Sequence, residues 1–271
     1  MTPLDEPDGD GEGARLSRPG RRFKSLSINR VLPNMMTLLA LCAGMTAIRY
    51  AVNDQWDRAV IAIVIAGIID ALDGGVARML RGTSKFGAEL DSLADAVNFG
   101  VVPAMVVYLW AMDTAGSLGW ALCLLHAVCC VLRLARFNTM IGEPEVPPWA
   151  HSYFTGVPAP SGAGFAILPL ILFLETGRGV FDSPWIVGAF LLTSSILMVS
   201  QVPTYSLKAI RLKPSWVIPA MLAVGVLAAF LVTDPWRTLS VVGFVYLGSI
   251  PVSYYTYQRQ MKRTVAATPG A

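Results

Sequence analysis

The sequence predicts an all-α, polytopic transmembrane helix bundle of about eight spans, a six-span core plus two, with both termini cytoplasmic. Three observations lead there. Of 271 residues, 54% are apolar and only 14% are charged, and the mean hydropathy is +0.55, well above ordinary soluble usage. Eight apolar stretches approach the ~17–25 helical residues that cross a hydrocarbon core. Basic residues then fall on alternate connections, as retention of Lys and Arg on the cytoplasmic side requires.

The spans are expected at about 32–52, 58–79, 86–112, 117–138, 157–176, 184–203, 215–233 and 237–257. Pro169, Pro203, Pro219 and Pro251 are candidates to kink or end the last four. With the N-terminus inside, seventeen of the 21 basic residues fall on the inner side, leaving Arg49, Arg58, Arg178 and Arg237 outside. Six spans plus two re-entrant segments fit that count nearly as well. The chain divides into a disordered tail at 1–30, a transmembrane domain at 31–258 and a C-terminal tail at 259–271. The first tail turns from acidic (Asp5, Glu6, Asp8, Asp10, Glu12) to basic, with Pro and Gly throughout.

A cleaved signal peptide is not expected: the leading tail is long, and Leu39-Ala40-Leu41-Cys42 lacks the small residue a cleavage site needs. The net charge of +3 reads as topology and contact with anionic lipid, not nucleic-acid binding. Cys42, Cys123, Cys129 and Cys130 all lie inside spans and suit packing better than disulfides or zinc. His126 and His151 have no metal-ligand spacing, and packing or solvation accounts for them. Trp56, Trp110, Trp149, Trp185, Trp216 and Trp236 read as interface anchors, and Gly116, Gly119, Gly162 and Gly164 as helix-contact positions. No internal repeat is visible, so the inverted halves of many transporters are not supported.

Spans two and three carry what a membrane helix avoids: Asp70 and Asp73, then Asp91 and Asp95. A carboxylate near the bilayer centre costs about 2.5–3.5 kcal/mol on insertion scales, so each implies a function and a partner. The spacings i,i+3 and i,i+4 put each pair on one helix face. Arg81-Gly82-Thr83-Ser84 has turn composition, which makes the two spans an antiparallel hairpin. Facing residues in such a hairpin share an index sum, so Asp70 should face Asp95 and Asp73 should face Asp91. Four clustered carboxylates repel unless divalent cations lie among them, and hard oxygen ligands select Mg²⁺ or Mn²⁺. Two ions form the usual clamp for phosphoryl chemistry. A polar interhelical lock or a proton relay is the competing reading. Gly74 and Gly87 leave room beside the carboxylates for a bulky substrate or a close helix contact.

The run Asp70-Ala71-Leu72-Asp73-Gly74-Gly75-Val76-Ala77-Arg78, followed by Gly87, Asp91 and Asp95, resembles the complete signature of the CDP-alcohol phosphotransferase family. That resemblance implies metal ligation by Asp70, Asp73, Asp91 and Asp95, with Asp70 and Asp91 bridging two ions, and Asp95 as the general base. It implies contacts to the CDP part from Gly74, Arg78, Ser84 and Gly87. It adds Asn34 and Thr37, because Pro33-Asn34-Met35-Met36-Thr37 is similar to the family's opening of the first span. Pro33 by itself suits a helix start.

The flanks Asp91 to Ala104, Arg133-Leu134-Ala135-Arg136-Phe137-Asn138 and Phe154 to Pro160 resemble the family branch that uses serine. The function so implied is transfer of a phosphatidyl group from CDP-diacylglycerol to L-serine in the cell inner membrane, with the site facing the cytoplasm and a homodimer as the expected assembly. Asn98 departs from the Ser expected in that branch, and is a candidate acceptor contact together with Arg133. Arg133 lies one to two turns inside span four, which calls for an anion, the serine carboxylate or a lipid phosphate, or else for a structural ion pair or a topology anchor, whereas Arg136 can snorkel. Glycerol 3-phosphate or inositol phosphate as acceptor would call for several converging basic residues, and choline for an aromatic cage. A metal-ion or proton transporter, the rival from another class, would need ionisable residues stepping through to the outer side. None is evident, since Asp54, Asp57, Asp113, Glu175, Asp182 and Asp234 lie in outer loops.

Overall fold

The computed structural model describes residues 28–80, 84–139, 153–205 and 216–267. The tail before residue 28, Arg81 to Thr83, Trp149, His151 and the basic set Lys208, Arg211 and Lys213 lie outside the described residues.

Helices α1 (Ile28–Val52), α2 (Trp56–Met79) and α3 (Lys85–Asp95) come first, and α3 runs through a π-helical turn (Ala96–Val101) into α4 (Val102–Trp110). A 3₁₀ turn (Met112–Ala115) leads to α5 (Gly116–Thr139), followed by β1 (Tyr153–Thr155), α6 (Ala159–Thr176), α7 (Pro184–Val199), β2 (Pro203–Tyr205), α8 (Val217–Thr233) and α9 (Pro235–Ala267). Among the described residues, six helical segments are long and apolar enough to cross a membrane, and α7 and α8 are shorter apolar helices of 16 and 17 residues. At 1.5 Å per residue these two reach only about 24–26 Å, short of a ~30 Å hydrocarbon core. The chain is a multi-pass helical membrane protein.

Close packing begins on α1, where Ala40, Ala47 and Ala51 are buried on the same face as Gly44. Small residues at such spacing let helix backbones approach, the main source of association energy in lipid. Against them α2 buries Ala59, Val60, Ala62, Ile63 and Ala66. Val102, Val106 and Val107 of α4, Leu170 of α6 and Val187 and Leu191 of α7 complete this core. By contrast α8 buries no residue, as a helix facing lipid can.

Several expectations change. Pro33 does not open α1, which begins five residues earlier and carries Pro33 inside it. Pro203 falls in β2, beyond the end of α7, while Pro169 and Pro251 stand inside helices that continue. The last helix runs to Ala267, ten residues past the expected end of its span. Gly119 and Gly162 are indeed close-contact positions, against the Met112 carbonyl and the Met198 side chain. Gly116 and Gly164 are not: an added Cβ at either meets nothing within 4 Å, and Gly116 instead takes φ 58° where α5 begins.

A two-stranded antiparallel sheet, pairing Tyr153 with Tyr205 and Thr155 with Pro203, was not legible in the sequence. Its strands come from the connections after α5 and after α7, so it ties two connections together at one end of the bundle. Gly156 follows β1 with φ 80° and lies so close to the Ser200 and Met198 carbonyls that a Cβ would meet them at 2.8 and 2.9 Å. Only glycine meets both requirements at that position.

Candidate active site

The hairpin of α2 and α3 brings Asp70, Asp91 and Asp95 together, with one carboxylate oxygen from each within 4.8 Å of the others. The Asp70 and Asp95 carboxylates lie side by side, as the index sum predicts. The Oδ1 atoms of both are enclosed and have no hydrogen-bond partner among the described residues. Buried carboxylate oxygens without donors are costly, and three hard oxygen donors at this separation suit a divalent cation. The residues therefore fit the metal that the motif implies.

Asp73 stands apart from this trio. It is buried, and its Oδ2 accepts a hydrogen bond of 2.7 Å from the Thr37 hydroxyl on α1. The Pro33 carbonyl lies 3.1 Å from the same hydroxyl; with one proton to give, the shorter, charge-assisted contact to the carboxylate is the stronger. The expected set of four thus becomes three plus one, with Asp73 within electrostatic range of Asp70 and Asp95.

A cavity of about 190 Å³ opens beside the trio. Asn34, Thr37, Gly74, Arg78, Ser84 and Gly87, all six expected nucleotide contacts, line it with Asp73 and Asp91. Ser84 caps α3, its hydroxyl accepting from the Gly87 N–H at 3.0 Å, which satisfies one orphan donor of the helix. A Cβ on Gly87 would lie 2.8 Å from Asn34 Oδ1, so this glycine lets α1 and α3 close on the cavity. Gly74 is different, since a Cβ there would meet only the tip of Arg78 at 3.6 Å. A larger cleft of about 380 Å³ between α8 and α9 is lined by Leu227, Phe230, Val241 and Val242 and contains none of the motif residues.

Beyond Asp95 the helix widens into the π-helical turn. In an α-helix the carbonyl of Phe99 would accept from the N–H of residue 103, but that residue is proline. His126 of α5, fully buried, reaches the freed carbonyl with Nε2 at 3.3 Å. Because a carbonyl can only accept, Nε2 carries the proton. The turn is also gripped by Gly44 of α1, where a Cβ would overlap Asn98 Oδ1, and by Cys130 of α5, 3.1 Å from the Cβ position of Gly100. Packing or solvation, the expectation for His126, does not include this hydrogen bond; Pro103 four residues after Phe99 is the signal in the sequence that points to it.

Asn98 is buried against Gly44, and neither amide atom has a hydrogen-bond partner among the described residues. Arg133 sits on α5, half-buried, within electrostatic range of Asp95 and Tyr246, with an enclosed Nε that has no partner among them either. Among the described residues no hydrogen bond joins Asn98 to Arg133. Arg136 does not snorkel: its guanidinium donates to the carbonyls of Val199, Thr155 and Ser200 at 3.1, 3.1 and 3.3 Å. It thereby fastens the end of α7 to β1, charge-assisted bonds worth about 1.5–3 kcal/mol each. Asn138 donates to the Ser92 hydroxyl at 2.9 Å, bracing α5 against the helix that carries Asp91.

A polytopic helical membrane protein whose paired aspartates meet beside a cavity at one end of a hairpin has the layout of an intramembrane phosphotransferase. The chain belongs to the CDP-alcohol phosphatidyltransferase family, whose model matches residues 30–246. It is 42% identical over 232 residues to the CDP-diacylglycerol–serine O-phosphatidyltransferase of Mycobacterium tuberculosis (strain ATCC 25618 / H37Rv), covering 86% of this chain and 80% of that one. The protein of the same name from Mycobacterium leprae is 39% identical over 94% of this chain and 82% of its own. That from Helicobacter pylori (strain ATCC 700392 / 26695) is 32% identical over 80% and 88%.

Proposed function

We propose that the protein transfers the phosphatidyl group of CDP-diacylglycerol to L-serine, forming phosphatidylserine and CMP. The observation that carries this reading is the carboxylate trio Asp70, Asp91 and Asp95 beside a cavity lined by all six expected nucleotide contacts. The names of the similar proteins support serine as the acceptor.

In this reading Asp70, Asp91 and Asp95, joined by Asp73, would hold two Mg²⁺ or Mn²⁺ ions. When bound, such ions neutralise the pyrophosphate charge and stabilise the departing CMP oxygen. Asn34, Thr37, Gly74, Arg78, Ser84 and Gly87 receive the CDP moiety. Thr37 fixes Asp73, and Asn34 comes close to α3 because Gly87 has no side chain. The serine oxygen attacks the phosphorus nearest diacylglycerol; a P–O bond to serine forms, the P–O bond to CMP breaks, and CMP leaves with the electron pair. Asp95 takes the hydroxyl proton. One in-line transfer needs no covalent enzyme intermediate. Arg133 meets the serine carboxylate.

The site belongs at the cytoplasmic face of the inner membrane. Arg78, Lys85, Arg133, Arg136, Arg259 and Lys262 sit towards its end of the helices, whereas Arg49, Arg58, Arg178 and Arg237 sit at the other, the asymmetry of cytoplasmic retention.

Purified protein supplied with CDP-diacylglycerol and, in turn, serine, glycerol 3-phosphate, inositol phosphate or choline tests this. CMP release should require serine and yield phosphatidylserine. Release with glycerol 3-phosphate in place of serine would remove serine from the proposal.

A further inference from the structure

We infer that Tyr246 of α9 and Arg133 of α5 together form the subsite for the acceptor's carboxylate, which makes the last helix part of the active site. The inference rests on the serine reading and names the groups that would select for it.

Two enclosed polar groups without hydrogen-bond partners lie within electrostatic range of one another here. The hydroxyl of Tyr246 and the Nε of Arg133 are both shut off from solvent, and neither has a partner among the described residues. They are in electrostatic range of one another, and Arg133 is in range of Asp95. Native folds satisfy nearly all such buried groups, so these two, one of them within electrostatic range of the proposed base, call for a ligand. Ser161 and Thr204 are polar neighbours of Tyr246 within side-chain reach, but neither makes a hydrogen bond of acceptable distance and angle with its hydroxyl. The Thr204 hydroxyl is already donated to the Gly156 carbonyl at 2.8 Å, so it cannot also donate to an anion.

The charge available sets the class of ligand. Arg136, next along α5, is occupied by three backbone carbonyls. Among the described residues that leaves one guanidinium and one neutral hydroxyl, a donor set suited to a monoanionic carboxylate. Arg133 supplies a planar fork and Tyr246 a single O–H. The tyrosine is held in place: its ring meets Phe165 edge-on at 6.3 Å. Farther along α9, Tyr257 packs on Tyr153 at 5.2 Å, and Thr256 and Tyr205 share a 2.7 Å hydrogen bond. The small sheet thus anchors the helix that delivers Tyr246.

The test is Tyr246→Phe in the full-length enzyme, which keeps the ring and its contact with Phe165. Steady-state CMP release is measured against serine, against CDP-diacylglycerol, and with L-serine methyl ester, whose carboxylate is capped. The KM for serine should rise roughly tenfold or more, as loss of a hydrogen bond to a charged group implies. The KM for CDP-diacylglycerol should hold, and the preference for serine over its ester should narrow. An unchanged serine KM, an equal rise in both KM values or an unchanged ester preference would overturn the inference while leaving the proposed reaction standing. Absence of serine-dependent CMP release in the unaltered protein would remove both.

Discussion

Thr37 on α1 places its hydroxyl 2.7 Å from Oδ2 of Asp73 on α2, joining the opening of the first span to the signature aspartate that stands outside the tight trio. Removing the donor leaves a buried carboxylate oxygen unserved, at about 1–3 kcal/mol. Thr37→Val should therefore raise the KM for CDP-diacylglycerol by about tenfold, and Thr37→Ser should restore it. Kinetics at saturating serine check this.

If the proposed roles hold, Asp95 and Asp73 should respond differently to substitution. Asp95→Asn should keep CDP-diacylglycerol affinity while single-turnover CMP release falls by the ~10²–10⁴ of general-base work. Asp73→Asn, which lines the cavity, should weaken that affinity as well. If Asp95→Asn loses binding as badly as Asp73→Asn, its carboxylate is chiefly a ligand and the proton goes elsewhere.

Gly44 and Asn98 are a matched pair, since a Cβ on the glycine would overlap the amide oxygen. Gly44→Ala should destabilise the protein by about 1–3 kcal/mol, the usual cost of overpacking. Adding Asn98→Ser, with its shorter side chain, should recover most of that loss. Thermal unfolding of the single and double variants in detergent gives the answer, and equal melting temperatures for all three would contradict the contact.

His126 supplies the donor that Pro103 cannot. His126→Phe leaves the Phe99 carbonyl without it and should lower stability by about 1–3 kcal/mol, with turnover falling because the π-helical turn adjoins Asp95. His126→Gln, which can still donate, should recover both. Equal behaviour of the two variants would mean that His126 only fills space.

Much of this was legible in the sequence because membrane insertion makes polar residues conspicuous. The helix count, the hairpin and the facing of Asp70 and Asp95 follow from hydropathy and spacing, and the residues that line the cavity follow from the motif. The rest depends on contacts between distant segments. The β1–β2 pairing joins residues some fifty positions apart, and three-residue strands carry no periodicity. The commitment of Arg136 to backbone carbonyls cannot be read from its place near a span end, where snorkelling is the ordinary expectation. Tyr246 lies in a helix whose period announces only a lipid-facing span, so nothing local distinguishes it.

The central claim is that the clustered aspartates work through divalent metal. The most direct measurement is serine-dependent CMP release by purified protein stripped with chelator and then titrated with Mg²⁺ or Mn²⁺, for the unaltered chain, Asp70→Asn and Asp91→Asn. Release should vanish on chelation and return with either ion in the unaltered chain alone, while both variants remain folded and membrane-inserted. Turnover that survives chelation, or Asp70→Asn that keeps both activity and the same metal requirement, would contradict the account.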